Sequence, residues 1–378
     1  MVSRMPGVHW PSGGLRQMLT AAHTYPEILA ENSGENPIQA CSGARAGTTV
    51  IILLSTYNGT RFLQAQLNSF LAQTHENWVL HWRDDGSDDD TLKIMREFAE
   101  KIGAARCIQS PSSGPHLGAP RSFLALLSET LSAEIVAFAD QDDVWLPEKL
   151  SCALAMLTPA GEAPALYAAR QYLVDEELGA ARLSALHTGN IGFPACLTQN
   201  IANGNTLVMN AAAAALVATA GYPQGSVHDW WSYIVVAACG GSVIFDERPQ
   251  VLYRMHKHNL IGRAQPVHHR ALAALKRGPM VYMTMMHRHA DMLEQQAGRM
   301  PPQARQDLRL VRTGLQGGLV KKLAALRCPR LRRRTALENL LFGWWFITND
   351  PPVRPVPQIS SPADAPGLER IRTQSAAE

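Results

Sequence analysis

The chain has 378 residues, more than the ~100–200 of a typical single domain, so we expect one large domain with extensions, or two domains. Hydrophobic residues make up 46% and charged residues 18% of the sequence, which is enough apolar material for a large core and excludes a disordered or collagen-like chain. The net charge of +3 gives no electrostatic reason to expect a nucleic-acid partner.

Signals for targeting and for a cysteine metal site are missing from the sequence. The first residues contain no apolar segment like that of a secretory signal, and no run of ~18 apolar residues indicates a membrane span. No two of the six cysteines have CxxC spacing, which argues against a cysteine zinc site. We therefore expect a cytoplasmic protein.

The first half of the chain alternates between strand-like and helix-like segments. Residues 1–47 lack periodicity and are rich in Gly, Pro, Ser and Asn, which predicts a mobile extension. Strands are predicted at 49–55, 78–83, 106–109 and 135–139, and helices at 61–71, 88–101, 121–131 and 147–157. This alternation predicts a doubly wound α/β fold with a parallel sheet.

The second half of the chain has a looser pattern and then becomes basic. Helices are predicted at 211–220 and 229–239, and strands at 241–246 and 251–253. After residue 271 the sequence predicts a helical, basic extension, with eleven Lys and Arg residues and one acid, Asp307, between Arg299 and Arg334. Residues 350–378 are rich in Pro, Ser and Ala, which predicts a disordered tail.

The apolar segment at 340–347 follows the basic run and contains Trp344 and Trp345. Basic residues favour an anionic lipid surface and tryptophan favours its interface, so we expect this part of the chain to lie peripherally on a membrane. The alternative is that 340–347 folds back onto the α/β domain and that the basic run is a solvated face. His287 and His289, with His268 and His269, could suggest a second metal site, but no acidic partner stands at ligand spacing, so we expect a solvated or membrane-facing cluster.

Acidic residues follow the predicted strands, where ligands bind in doubly wound sheets. Asp140, Asp142 and Asp143 are three carboxylates in four residues, a costly arrangement that a Mg²⁺ or Mn²⁺ ion would relieve. A solvated acidic turn that caps the next helix is the alternative. In residues 84–90 (DDGSDDD), Gly86 allows a tight turn, and Asp85 at the strand tip could accept the imide N–H of a pyrimidine base.

Several motifs, taken in order, resemble those of the family 2 inverting glycosyltransferases, which have the GT-A fold. They are STYNGTRFLQAQLNSFLAQTHENW at 55–78, RDDGSDDDT at 83–91 and FADQDDVWLPEKL at 138–150. Three further segments are similar to rhamnosyltransferases of cell-surface polysaccharide assembly: NGNTLVMN at 203–210, HDWW at 228–231 and LYRMHKHNLIG at 252–262. The QxxRW motif of processive synthases is absent, which favours the addition of one or a few sugars.

The resemblance implies a division of the chain and a set of partners. A catalytic domain would span 48–262, with a nucleotide-binding half at 48–158 and an acceptor half at 159–262, followed by a helical region at 263–349. The implied donor is a nucleotide-diphosphate sugar, with dTDP-L-rhamnose favoured, and the implied acceptor is a glycan or a polyprenyl-linked glycan. A donor with another UDP-, GDP- or dTDP-linked sugar stays open.

The resemblance also implies roles for individual residues. Asp229 would be the general base, oriented by His228, although a helix N-cap is the alternative for Asp229. Metal ligands would be Asp140, Asp142 and His256. Nucleotide-sugar contacts would come from Thr56, Tyr57, Asn58, Asp85, Arg121, Asp140 and Arg254. Of Trp230 and Trp231, one would pack in the core and one would face the acceptor. For Arg254 and His256, a buried polar link between domains is the alternative.

Two other functions are alternatives to transfer of a sugar. A nucleotidyltransferase usually has a Gly-rich, basic loop after the first strand, and STYNGTRF is not such a loop. A scaffold that binds sugars or membranes without catalysis would be favoured by loss of the strand-end acids or of Asp229, and the sequence retains both.

Overall fold

The computed structural model describes residues 47–187, 189–256 and 279–348. The expected tail at 350–378 and residues 1–46 of the expected extension lie outside the described residues. Positions 257–262 of the last motif also lie outside them. All elements below are numbered within the described ranges.

Four parallel strands form the first half of the sheet, which confirms the pattern predicted from the alternation. β1 (Val50–Thr56), β2 (Trp78–Asp84), β3 (Cys107–Gln109) and β4 (Ile135–Ala139) lie in the order β3-β2-β1-β4. Between them run α1 (Leu63–Leu71), α2 (Thr91–Ile102) and α3 (Ala119–Glu129). Because β2 and β4 flank β1 on opposite sides, the winding reverses there, and the carboxyl ends of β1 and β4 form a crevice suited to a ligand.

The second half of the sheet is mixed. β8 (Val208–Asn210) pairs antiparallel with β4 and with β6 (Ala165–Val174). β9 (Ser242–Arg254) then pairs in parallel with β6 and continues through both strand segments predicted for this region. The two-residue strands β5 (Val144–Trp145) and β7 (Arg182–Leu183) pair antiparallel with β9 and β6.

Three helices accompany this half of the sheet, close to their predicted positions. They are α4 (Lys149–Leu157), α5 (Ala211–Ala218) and α6 (His228–Ala238). The Asn210 side chain caps α5 by accepting the N–H of Ala213 at 3.1 Å. The cap explains why α5 begins directly after β8.

Apolar residues cover both faces of the parallel strands, which explains the unbroken apolar run of β1. Val50, Ile52 and Leu54 face a core built with α1, α2 and α4. Leu53 points to the other face, where it joins a core built with α3, α5 and α6. The polar loops at the strand ends are therefore the part of this sheet that is open to a ligand.

The C-terminal helices extend the second of these cores. They are α7 (Pro279–Glu294), α8 (Pro302–Gln316), α9 (Leu319–Leu326) and α10 (Ala336–Thr348). Met286, Leu308 and Phe346 belong to the same buried cluster as Trp231 of α6. No helix within the described ranges is long and apolar enough to cross a membrane.

Two expectations for this region are corrected by burial. His289 is completely buried and His287 is nearly so, because α7 packs against α6; the expected solvated or membrane-facing cluster is therefore wrong. Within 340–347, Trp345 is buried in the core whereas Trp344 is 53% exposed. Trp345 therefore fits the fold-back alternative, whereas Trp344 belongs to an apolar side of the segment that points outward.

Candidate active site

The loops after β1 and β4 are joined by one glutamine that the sequence analysis did not single out. The Gln141 side chain accepts the N–H of Tyr57 at 2.9 Å and donates to the Tyr57 carbonyl at 2.8 Å. A Cβ on Gly59 would lie 2.3 Å from Oε1 of Gln141, so this close approach requires glycine. Tyr57 remains half-exposed with its ring 4.9 Å from that of His116, so it can meet a ligand as predicted.

Thr56 and Asn58 hold the loops after β1 and β2 together. The Thr56 hydroxyl donates to Oδ1 of Asp84 at 2.9 Å, and Thr56 is completely buried. Direct contact of Thr56 with a nucleotide, which we expected, is therefore wrong in this arrangement. Asn58 accepts the N–H of Asp88 at 3.0 Å and donates its own N–H to Ser87. A nucleotide contact from Asn58 stays a prediction.

Asp85 lies in a nest of donors supplied by the protein. Its carboxylate accepts Nη1 of Arg83 at 2.5 Å, the N–H of Leu117 at 2.7 Å and the N–H of Gly118 at 2.8 Å. Burial opposes ionisation, but these bonds and one from the Ser122 hydroxyl outweigh it and hold the pKa of Asp85 below its usual value. The predicted contact with a base would have to compete with these donors.

The three acids after β4 have separate environments. Asp143 is completely buried, accepts Nδ2 of Asn205 at 2.5 Å and accepts the N–H of Arg254 at 3.0 Å. Asp143 therefore links β9 and the 203–206 turn to the loop that carries the three acids, residues 140–143, which we call the acidic loop. Asp140 and Asp142 are only partly buried, so these two of the three acids can face a ligand.

The end of β9 returns to the acidic loop, as the resemblance implied. Nε2 of His256 lies 2.8 Å from Oδ2 of Asp142. Nε of Arg254 donates to the Asp142 carbonyl at 2.9 Å, and the guanidinium lies over the Phe62 ring, 4.6 Å from its centroid. Arg254 is 4% exposed and also donates to the Glu176 carbonyl, which matches the polar link considered as the alternative. A phosphate contact from Arg254 stays a prediction.

The predicted metal ligands are brought near each other without forming a closed site. In the described part of the chain, no group of three His, Cys, Asp or Glu side chains is arranged to hold a metal. Burial, then Asp142 and then Asp229 raise the pKa of Asp140 to about 8, against the opposing effect of Lys149. Burial and the neighbouring carboxylates therefore disfavour the ionised form of Asp140, a cost that a bound cation would relieve. Because Mg²⁺ usually takes one or two protein carboxylates and completes its shell with water and phosphate, the residues fit a divalent cation.

Lys149 is a buried cation of the acidic loop that the sequence analysis missed. Its Nζ lies 3.0 Å from the centroid of the Trp145 ring, and the residue is completely buried. Burial lowers the pKa of Lys149, whereas Asp143 and Asp140 raise it. A lysine in the first turn after three acids, in the PEKL segment, is the signal that could have identified it.

Asp229 stands in the first turn of α6 with a perturbed carboxylate. It accepts the N–H of Gly204 at 2.9 Å and the N–H of Trp230 at 2.6 Å, and it is 4% exposed. Burial raises the pKa of Asp229 to about 6 despite these hydrogen bonds. Its charge also raises the pKa of Asp140, so the predicted base lies within electrostatic reach of the acidic loop. A carboxylate with this pKa can exchange a proton near neutral pH.

His228 has a structural position and does not orient Asp229, which corrects the prediction. Its ring stacks on Phe123 with centroids 4.1 Å apart and meets the edge of Phe138 at 5.0 Å. Burial lowers the pKa of His228 to about 3, so the ring is neutral. Its Nε2 has no hydrogen-bond partner within the described ranges. Nε2 instead faces Gly204, where an added Cβ would lie 2.9 Å away.

The two tryptophans divide as the sequence predicted, and the structure shows which is which. Trp231 is completely buried, donates Nε1–H to the Gly221 carbonyl at 2.7 Å and stacks on His289. An acceptor contact from Trp231 is therefore wrong. Trp230 is partly exposed and donates Nε1–H to the Cys196 carbonyl at 2.8 Å. It remains the predicted acceptor platform.

Arg121 lies on the exposed side of the same region. It is at the start of α3, and no hydrogen bond or ion pair occupies its guanidinium among the described residues. Burial raises the pKa of Tyr222 to about 12, with Arg121 lowering and Asp229 raising it. The charges of Arg121 and Asp229 therefore both affect the ionisation of Tyr222. A phosphate contact from Arg121 stays a prediction.

Comparison with known proteins is consistent with this geometry. The family description "Glycosyl transferase family 2" matches residues 51–185. The chain is 26% identical to the dTDP-rhamnosyl transferase RfbG of Shigella flexneri over 222 residues, which are 55% of this chain and 73% of that protein.

Two further likenesses cover other shares of the molecule. The chain is 30% identical to the UDP-Glc:alpha-D-GlcNAc-diphosphoundecaprenol beta-1,3-glucosyltransferase WfgD of Escherichia coli over 29% of this chain and 40% of that protein. Among solved structures, S. aureus TarS in complex with UDP-GlcNAc gives a TM-score of 0.49 at 14% identity, over 74% of this chain and 79% of that one.

The nest around Asp85 generates a test of its structural role. Asp85→Ala would leave the completely buried Arg83 without its counter-charge, so we expect it to lower the free energy of unfolding by about 3–5 kcal/mol. Asp88→Ala removes an exposed acid of the same loop and should change stability by ~0.5 kcal/mol or less. Urea titration of both variants measures this difference. If the two variants were equally stable, Asp85 would have no structural role and would act only in ligand contact.

Proposed function

We propose that the protein, whose residues 51–185 match the glycosyl transferase family 2 description, transfers a sugar from a nucleotide-diphosphate donor to a glycan acceptor with inversion. One observation supports this most strongly. The acidic loop after β4 and the buried carboxylate of Asp229 come from distant parts of the sequence and bind the same 203–206 turn, since Asp143 accepts Nδ2 of Asn205 and Asp229 accepts the N–H of Gly204. An inverting transfer needs both a place for the diphosphate and a base for the acceptor hydroxyl.

Asp229 has the properties that the base requires. Two backbone N–H groups hold its carboxylate in place, and its pKa of about 6 leaves it ionised at neutral pH yet able to accept a proton. The base takes the proton from the acceptor hydroxyl as the oxygen attacks the sugar carbon from the face opposite the leaving diphosphate. The partly exposed Trp230 follows Asp229 directly and offers an aromatic face for the acceptor sugar.

The acidic loop has the properties that the leaving group requires. Asp140, Asp142 and His256 would hold a Mg²⁺ or Mn²⁺ ion, which when bound neutralises the charge that develops on the diphosphate. Arg121, exposed at the start of α3, would add a positive charge on the phosphate side. Tyr57, positioned by Gln141, would contact the nucleoside.

The favoured donor is dTDP-L-rhamnose, and the favoured acceptor is a glycan carried on a polyprenyl diphosphate during assembly of a surface polysaccharide. The dTDP-rhamnosyl transferase of Shigella supports the donor, and the diphosphoundecaprenol acceptor in the name of the Escherichia relative supports the lipid carrier. Such an acceptor would bring the protein peripherally to the inner face of the cell membrane.

A donor screen tests this function. We expect dTDP-L-rhamnose with Mn²⁺ to raise the melting temperature, because a ligand that binds the folded state stabilises it, and UDP- or GDP-sugars to raise it less. The same mixtures, given a polyprenyl-linked acceptor, should release the nucleoside diphosphate. Stabilisation by a different sugar nucleotide would change the donor. Release of pyrophosphate from a nucleoside triphosphate would instead indicate a nucleotidyltransferase.

Replacement of the base gives a second test. Asp229→Asn keeps the shape of the side chain but cannot accept a proton, so we expect kcat to fall by on the order of 10²–10⁴ with donor binding intact. In the unmodified enzyme at saturating metal, kcat/KM should fall as the pH drops below about 6, because protonation of Asp229 removes the base. An Asp229→Asn enzyme with normal kcat and the same acid limb would place the base elsewhere.

Removal of a metal ligand gives a third test. Asp142→Ala should abolish the Mn²⁺-dependent part of nucleotide binding, measured by calorimetry with and without EDTA, because the diphosphate loses its bridging cation. Asp88→Ala is the matched control, since it removes an acid of the neighbouring loop that is exposed and should leave binding unchanged. Full activity of Asp142→Ala in EDTA would contradict the metal assignment.

A further inference from the structure

Helix α10 has apolar residues on both of its sides, although it lies at the surface. Phe342, Trp345 and Phe346 face the core and are buried. On the opposite side, Leu337 and Leu340 are each 73% exposed and Trp344 is 53% exposed. These three are spaced i, i+3 and i+7, so they share one face of the helix. A surface helix normally has a polar outer face, and this one does not.

The neighbouring helix α9 also exposes apolar side chains. Leu319, Val320 and Leu323 are exposed, Val320 by 81%. Nζ of Lys322 donates to the Ile347 carbonyl at 3.0 Å, which ties α9 to the end of α10. Two adjacent helices therefore expose six large apolar side chains, which we call the apolar face. An exposed apolar area of this size indicates a surface that binds a membrane or another protein.

The charges around the apolar face indicate what covers it. Several basic residues of this region are used internally: Arg330 pairs with Asp307 at 2.6 Å, and Arg312 pairs with Asp291 and Glu294. Five others have no acidic partner among the described residues: Arg305, Arg309, Lys321, Arg327 and Arg332. Arg327 caps the end of α9 and follows Val320 by seven positions, which is about two helical turns.

We propose that this face, formed by α9 and α10 with the unpaired cations Lys321, Arg327 and Arg332 on α9 and in the connection to α10, is a docking surface for an anionic lipid bilayer. Cations attract the phosphate of anionic headgroups, the leucines enter the acyl boundary, and the indole of Trp344 suits the interface between them. A second copy of this chain would bring the same positive charges together, which opposes self-association.

The orientation of α10 follows from its length. Its 13 residues extend about 20 Å, shorter than the ~30 Å hydrocarbon layer, and its inner side is already buried in the protein. The helix therefore lies in the plane of the membrane surface and does not enter it end-on. The purpose of this contact rests on the proposed function, since a polyprenyl-linked acceptor is presented at such a surface.

Vesicle co-sedimentation of the full chain tests the surface. We expect the protein to pellet with phosphatidylcholine vesicles that contain phosphatidylglycerol, and to be released at ~1 M salt, where charges are screened beyond ~3 Å. Leu337→Ser/Leu340→Ser/Trp344→Ser should lower the partition coefficient by on the order of tenfold or more. The matched control, Leu71→Ser/Ile108→Ser/Leu131→Ser, removes similarly apolar exposed residues elsewhere and should pellet like the unmodified chain.

A charge variant separates the two parts of the surface. Lys321→Ala/Arg327→Ala/Arg332→Ala should weaken binding to the phosphatidylglycerol vesicles by about fivefold per cation and leave binding to pure phosphatidylcholine unchanged. Equal pelleting of the leucine–tryptophan variant and the unmodified chain would overturn the proposal. So would a dimer, detected by analytical ultracentrifugation, that dissociates in that variant while no vesicle binding occurs.

Donor binding distinguishes failure of the surface from failure of the proposed function. The leucine–tryptophan variant should keep the melting-temperature shift given by the nucleotide sugar, because its substitutions lie outside the candidate active site. Loss of pelleting with this shift retained supports the docking surface. A chain that pellets but binds no nucleotide sugar would contradict the proposed function and still support the surface.

Discussion

Four carboxylates from two distant segments are concentrated at the carboxyl end of β4, and the arrangement of the site follows from how their charge is compensated. Asp143 and Asp229 accept hydrogen bonds from backbone and amide donors, which fixes the turns that carry those donors, although burial still raises the pKa of both carboxyls. Burial, and then the charges of Asp142 and Asp229, raise the pKa of Asp140 to about 8. Crowded carboxylates are relieved by a nearby positive charge: Lys149 opposes the rise in the pKa of Asp140, and a metal–diphosphate complex would add to that effect.

The C-terminal helices contribute to the site although they contribute no residue to its chemistry. Nε2 of His289 on α7 lies 2.8 Å from the Ser226 hydroxyl, just before α6 begins. The same ring stacks on Trp231, which anchors the first turn of α6. Burial lowers the pKa of His289 to about 3 and keeps it neutral, so the contact is one of packing. The first turn of α6, which carries Asp229, is therefore stabilised by contacts with α7. This helix belongs to the same C-terminal group of helices as the proposed membrane surface.

Most errors of the sequence-based site concern residues next to a correctly identified position. Thr56, His228 and Trp231 all lie within one or two residues of groups that face the crevice, yet each is buried. The motifs identify the correct backbone segments, because the fold determines where each strand ends and where each helix begins. Which side chain points into the core depends on the tertiary contacts available to it. Thr56 donates to Asp84, and His228 stacks on Phe123.

The sequence by itself determined the β1–β4 alternation, the position of the acids at the strand ends and the start of α6, because these depend on local periodicity and turn chemistry. It could not show that Asp143 is buried and hydrogen-bonded to β9 and the 203–206 turn whereas Asp140 is partly exposed, since both acids lie in the same loop and the partners of Asp143 come from distant segments. It also could not orient α10, whose residues are apolar on every side. Only packing against α7, α8 and α9 decided that Phe342, Trp345 and Phe346 turn inward and Trp344 outward, because the core has room for one face of a helix.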